Sequence, residues 1–214
     1  MKLTTGKITI LIIAAVVVLD QAVKIWIKTT MPLDREFAVF GNWFLIHFTE
    51  NPGMAFGMKF GGEAGKLFLS AFRIVLVIFI GMMLVRLNRR TDTPMGVMAG
   101  FALILAGAAG NIIDSLFYGM LFGSSVGQVA TFMPEAGGYS SFLFGNVVDM
   151  LYFPIIDSRW PDWLPFWGGE EFVFFRPIFN VADAAISTGV IYLLLFKRAF
   201  FTAKNRPAVE PQPE

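Results

Sequence analysis

The pattern Asn-x-x-Asp occurs three times in this chain, as Asn111-Ile-Ile-Asp114, Asn146-Val-Val-Asp149 and Asn180-Val-Ala-Asp183. Each copy is embedded in apolar sequence, where an ionised carboxylate is costly unless paired. Asp20 and Lys24 add an acid and a base four residues apart, on one helical face where they can pair. Two carboxylates in a partly dry pocket cannot both ionise easily, so one pKa rises and the pair shares a proton. One can then activate water while the other protonates the departing group, as in an aspartic protease. A Ser–Lys nucleophile built from Ser115, Ser187 and Lys24 is the competitor, and neither serine stands in a G-x-S-x-G turn. The flanks of the three copies do not match, so they are not a true repeat. Asn and Asp at this spacing share a helical face, and Asn can cap a helix.

Composition says what must position these groups. Hydrophobic residues make up 56% of the 214 positions and charged residues 15%, against about one quarter charged in soluble domains. The chain therefore reads as an integral membrane protein. Cysteine is absent and His47 is the single histidine, which excludes disulfides and leaves carboxylates as the only metal ligands, so no metal or other cofactor is expected. A net charge of +1 gives no sign of nucleic-acid binding. The first apolar run, from Ile8, follows a positive segment like a signal peptide, but Asp20-Gln21 replaces a small-residue cleavage site, so it reads as a retained span.

Four runs approach the ~20 residues needed to cross a bilayer: about 8–27, 67–87, 94–117 and 178–196. The third is rich in Gly and Ala, which let helices approach closely. Lys2, Lys7, Arg86, Arg89, Arg90, Lys197, Arg198, Lys204 and Arg206 all fall on one side if the chain crosses four times. Both termini are therefore expected to be cytoplasmic. The opposite side holds segments 28–66 and 118–177. Residues 37–60 suggest short strands and turns, Gly-rich pieces within 118–177 suggest a flexible insertion, and Trp160, Trp163 and Trp167 are candidate interfacial anchors. The fold expected is a mainly α, four-transmembrane-helix bundle with a small β-sheet and extra helical or loop elements on the outer, periplasmic side. One membrane-embedded domain would occupy 1–200, with 201–214 a disordered, proline-rich tail. In this topology Asp20, Lys24, Asn111, Asp114, Asp149, Asn180 and Asp183 converge just inside the outer interface. Ionisable groups at membrane depth point to a functional site.

The ordered motifs Asp20-Gln21-x-x-Lys24, Glu50-Asn51-Pro52-Gly53-Met54-Ala55-Phe56-Gly57, Gly107-Ala108-Ala109-Gly110-Asn111-Ile112-Ile113-Asp114, Val147-Val148-Asp149 and Phe179-Asn180-Val181-Ala182-Asp183 resemble those of bacterial lipoprotein signal peptidase, or signal peptidase II. The resemblance implies an intramembrane aspartyl endopeptidase of the cytoplasmic (inner) membrane that cuts a prolipoprotein before its diacylglyceryl-modified cysteine. It implies catalytic aspartates at Asp149 and Asp183, and supporting or substrate-binding roles for Asp20, Lys24, Asn51, Gly53, Asn111, Asp114 and Asn180. Prolipoprotein and membrane lipid are the partners expected, and the enzyme is expected to be monomeric.

Two positions depart from the family pattern. Its third motif usually continues Asp-Arg, whereas Ser115 follows Asp114 here, leaving Arg73 or Arg176 to supply the cation. The stretch of about 119–145 is an insertion, and it makes Asp114 a rival of Asp149 for the pair. Other function classes are a carrier or channel lined by acids, which should place them near the midplane, and a non-catalytic assembly factor.

Overall fold

The structure is a computed structural model that describes residues 3–52, 62–154, 156–159, 161–174 and 178–203. Helix α1 (Thr5–Thr30) starts where the Thr4 hydroxyl accepts the Lys7 N–H. Its outer faces carry exposed Ile10, Leu11, Val18 and Leu19, while Asp20, Lys24, Ile27 and Lys28 are buried. Spacings of four, three and one residues put those four on one stripe. The polar face points inward, the reverse of a soluble helix and the arrangement lipid demands of ionisable groups.

After α1 the chain forms the hairpin β1 (Glu36–Phe40) and β2 (Phe44–Asn51), then α2 (Gly62–Asn88) and α3 (Met95–Ile113). α2 turns Phe68, Val75, Ile78 and Phe79 outward. α3 is the central helix and packs on α1, α2 and the later α5. Its small residues make this possible: a Cβ on Gly100 would stand 2.6 Å from Leu193, and one on Gly107 would collide with the Ala182 carbonyl. α3 runs into a π-helical turn, Asp114–Tyr118, and the short α4 (Gly119–Leu121). Such turns shift the register of side chains and recur at functional sites.

A helix end leaves carbonyls without partners, and the insertion supplies them here. The N–H groups of Gly145, Leu143, Ser140 and Tyr139 donate to the carbonyls of Ser115, Leu116, Gly119 and Phe122. The Gly-rich segment is thus hydrogen-bonded back onto the bundle. It leads into β3 (Val147–Tyr152), the hairpin β4 (Ile156–Arg159) and β5 (Glu171–Phe174), then β6 (Ile178–Phe179), α5 (Val181–Phe196) and α6 (Arg198–Ala203). The main sheet is antiparallel in the order β1-β2-β3-β6, and β4 pairs with β5 in a separate two-stranded sheet. Val148 and Met150 of β3 point into a core with Ile27, Ile46, Phe48, Tyr118 and Phe122.

Three helical stretches among the described residues are long and apolar enough to cross a membrane: Thr5–Thr30, Ala64–Asn88 and Met95–Leu121. The fourth run, expected as one span over 178–196, divides. Ile178 and Phe179 pair with Tyr152 and Leu151, Asn180 caps, and the helix keeps 16 residues. The strands expected within 37–60 are found as β1 and β2; 53–60 lie outside the described residues. Trp163 and Trp167 are exposed in the β4–β5 turn, while Trp160 and the tail from 204 onward are outside them. α6 carries helix three residues into the stretch expected to be tail.

Candidate active site

Strand and helix ends converge where α1 finishes, α3 passes into the π turn and α5 begins. Antiparallel register sets Thr49 opposite Asp149, Asn51 opposite Val147 and Leu151 opposite Phe179. Side chains alternate along a strand, so Asp149 faces away from the Val148–Met150 core, on the same side as Asn51. Asn51 hydrogen-bonds Asp149. Four residues past Phe179 the chain reaches Asp183, in the first turn of α5.

Asn180 holds this junction. Its side-chain oxygen accepts the Asp183 N–H at 2.9 Å, and its own N–H donates to Asp183 Oδ2 at 3.4 Å, a reciprocal capping box. Its Nδ2 donates to Asp149 Oδ1 at 2.6 Å and to Asn111 Oδ1 at 3.1 Å. Asn111 Nδ2 donates in turn to Asp183 Oδ1 at 2.8 Å. One residue therefore touches both carboxyls, and a second amide closes the ring. Asp149 is 4% exposed. Burial, followed by the neighbouring Asp183 carboxylate, pushes its carboxyl up to about 7.

Beneath this ring lies a fully buried charge cluster. Lys24 Nζ donates to Asn111 Oδ1 at 2.8 Å and pairs with Asp20 at 2.9 Å and Asp114 at 2.8 Å. Its three hydrogens are all engaged. Asp20 Oδ1 accepts the Ala182 N–H at 2.8 Å, placing an anion at the positive end of α5. Asp114 accepts from Gln21 Nε2 at 2.9 Å and from the Val148 N–H at 3.2 Å, and so ties α3 to β3. The Tyr118 hydroxyl donates to Gln21 Oε1 at 3.1 Å and fixes that amide.

Asp20, Lys24, Asn51, Asn111, Asp114, Asp149, Asn180 and Asp183 thus meet in one network. Gly53 and Arg176 lie outside the described residues. Asp114, the rival for the pair, is committed to Lys24. Lys24 makes no hydrogen bond to Ser115 or Ser187 among the described residues; Ser115 donates to the Asn111 carbonyl instead. In the Asn146 copy of the repeated pattern the two residues part company: Asn146, just before β3, donates to Glu50, while Asp149 within β3 accepts from Asn180.

A second cluster escaped the sequence reading. Lys28 pairs with Glu50, and its Nζ donates to Ser125 Oγ at 3.0 Å. Ser125 donates to Glu50 Oε1 at 2.7 Å, and Asn146 Nδ2 donates to Glu50 Oε2 at 2.9 Å. Lys66 reaches Asn146 Oδ1 at 2.7 Å, and Lys28 lies 4.8 Å from the Tyr139 ring centre. Burial alone would raise Glu50, but Lys28 and these hydrogen bonds hold its carboxyl below the usual carboxylate range. Lys28 falls one turn beyond Lys24 on the same face, a signal that was there to be read. Ser125 is also the centre of a G-x-S-x-G string, Gly123–Gly127. It follows a helix end instead of a strand, and Ser125 and Lys28 are buried with Glu50 as counter-ion. Lys28 donates to Ser125 and Ser125 spends its own hydrogen on Glu50, so the serine's proton is directed at the carboxylate and not at the lysine, and the trio anchors the insertion.

Comparison with known proteins agrees with this architecture. The family described as Signal peptidase (SPase) II matches residues 12–199. A lipoprotein signal peptidase of Porphyromonas gingivalis is 51% identical over 194 residues, covering 91% of this chain and 84% of its own. One from Amoebophilus asiaticus is 38% identical, covering 86% and 74%. A bacterial membrane enzyme solved by the in meso method at 1.9 Å superposes with a TM-score of 0.56 at 26% identity, covering 87% and 90%. A second, at 2.3 Å, gives 0.59 at 24% and covers 93% of each chain. Apolar helices, a small antiparallel sheet and a family match over most of the sequence place this chain in the signal peptidase II family, a multi-pass membrane protease.

Proposed function

We propose that the chain is an aspartyl endopeptidase that removes the signal peptide of diacylglyceryl-modified prolipoproteins, cutting before the lipidated cysteine. The observation that carries this reading is Asn180, which touches Asp149 through its side chain and Asp183 through its backbone. Asp149, whose carboxyl is pushed up to about 7, is assigned the role of proton donor, and Asp183 the role of base. A water between them loses a proton to Asp183 as its oxygen attacks the scissile carbonyl carbon, while Asp149 gives its proton to the carbonyl oxygen. Collapse of the tetrahedral intermediate breaks the C–N bond, with a proton passing to the leaving nitrogen. Asp20, Lys24, Asn111, Asp114, Asn180 and Asn51 position the pair. Gly53 is assigned with them from the motif alone.

The same reading has four crossings in a bacterial cytoplasmic membrane, both termini inside, one domain over 1–200 and the site near the outer face. At 1.5 Å per residue the 16 residues of α5 cover about 24 Å, less than the ~30 Å apolar core. A short fourth helix leaves Asp183 recessed below the interface, where a lipid-anchored substrate can present its scissile bond while its acyl chains stay in the bilayer. A carrier would need acids toward the midplane; the later halves of α5 and the earlier half of α3 have none.

The test is cleavage by the purified protein of a diacylglyceryl-modified prolipoprotein and of its unmodified precursor. Mass spectrometry should find a product beginning at the lipidated cysteine, from the modified substrate alone. Absence of cleavage by folded protein, or a cut elsewhere, contradicts the proposal.

A further inference from the structure

The aspartate network has more acid than the first cation can balance. Among the described residues, the lysine paired within the network of Asp20, Asp114, Asp149 and Asp183 is Lys24, and its three hydrogens are spent on Asp20, Asp114 and Asn111. A second cation approaches from another helix. Arg73, half-buried on α2, directs Nη1 at Ser115 Oγ, 3.5 Å away in the π turn. Ser115 follows Asp114 and donates to the carbonyl of Asn111, whose amide in turn donates to Asp183, so the contact brings the guanidinium to the edge of the aspartate network. No carboxylate among the described residues lies within ion-pair distance of it, so it is not consumed by a salt bridge. A guanidinium held by a neutral hydroxyl at this range stabilises the ionised form of the pair without capturing either carboxylate.

We propose that Arg73 is a positioning residue for the reaction: held at Ser115 in the π turn, it supplies a positive charge that offsets the unbalanced acid of the Asp149–Asp183 pair. This rests on the dyad reading above. α2 thereby does more than span the membrane, because its packing against the π turn sets the charge state of the pair. An opposite charge nearby lowers a carboxyl pKa by roughly 1 to 3 units when close, and by less at longer range.

The experiment is the pH–rate profile of prolipoprotein cleavage by wild type, Arg73→Lys, Arg73→Gln and the double variant Arg73→Gln/Ser115→Arg. Removing the cation raises both carboxyl pKa values, so both limbs of the Arg73→Gln profile should move up by about one pH unit. Its kcat near neutrality should fall at little change in KM. Arg73→Lys should keep the limbs close to wild type. The double variant returns a guanidinium to the same spot from the other side, and should bring the limbs back. Unshifted limbs in Arg73→Gln overturn the proposal. If that variant does not fold, the double variant decides: a folded, inactive protein, or one whose limbs differ from wild type by as much as a lost charge predicts, also overturns it. Asp149→Asn and Asp183→Asn run alongside keep the two claims separate. Activity in both defeats the dyad, whereas dead aspartate variants with an unshifted Arg73→Gln profile defeat only the role of Arg73.

Discussion

Gly107→Ala isolates the helix contact on which the site depends. A methyl at Gly107 would strike the Ala182 carbonyl oxygen and come within 2.7 Å of Ile186 Cγ1, both on α5. Carbon atoms rest at about 3.5 Å or more, so α5 must retreat by about 1 Å. The carbonyl is backbone and has no rotamer through which to escape. Ala182 immediately precedes Asp183, and its N–H is the one held by Asp20. The shift is therefore delivered to the Asp183 carboxyl and to the Asn180 cap. Overpacking of this kind costs about 1–3 kcal/mol, enough to lower Tm while leaving most protein folded. A 1 Å displacement of a reacting group costs roughly 100-fold in rate. Prolipoprotein cleavage under saturating substrate should thus show kcat down about 100-fold with little change in KM. Gly81→Ala on α2 is the control, since a Cβ there meets nothing within 4 Å, and its activity should equal wild type. Wild-type kcat in folded Gly107→Ala would refute the idea that the α3–α5 contact sets the aspartate geometry.

Three further outcomes follow from buried charge. Asp149 is pushed from an ordinary 3.8 to about 7 in the folded protein, so folding favours its protonated form. The associated stability is complete below about pH 4 and is lost as pH rises through about 7. Asp149→Asn, which can still accept from Asn180, should flatten this dependence and raise Tm above neutrality in pH-resolved thermal unfolding; superimposable curves would count against it. Lys24→Met strands Asp20 and Asp114 without a cation and should cost about 3–5 kcal/mol, most of it recovered in Lys24→Met/Asp20→Asn/Asp114→Asn. No recovery in the triple variant would mean that the pairing is not the source of the loss. Glu50→Ala leaves Lys28 buried without its counter-ion and should loosen the insertion, seen as new proteolytic cuts within Phe132–Tyr139, whereas an unchanged digest contradicts the anchoring role.

Much of this was legible from residue types. Asp20 and Lys24, four apart in an apolar run, announce a helix with its polar face inward, and they pair as that spacing requires. The Gly and Ala of α3 signal a close crossing, found against Ala182 and Leu193. Asn180 preceding Asp183 by three reads as a cap and is one. What could not be read are relations across sequence-distant segments. Ser125 meets Glu50 only because the insertion folds back on carbonyls freed by the π turn, and no local pattern encodes that return. Arg73 was a candidate cation, but its approach to Ser115 depends on helix packing. The division of the fourth apolar run was also hidden, since Ile178 and Phe179 are as apolar as the helix that follows and become a strand only through β3.

Cleavage of a diacylglyceryl-modified prolipoprotein by Asp149→Asn and by Asp183→Asn, each shown to be inserted and folded, bears on the dyad without intermediaries. Neither variant should release signal peptide above the enzyme-free rate, while both should still bind the precursor. Turnover near the wild-type rate in either folded variant would contradict the assignment of that aspartate, and turnover in both would end the aspartyl mechanism for this chain.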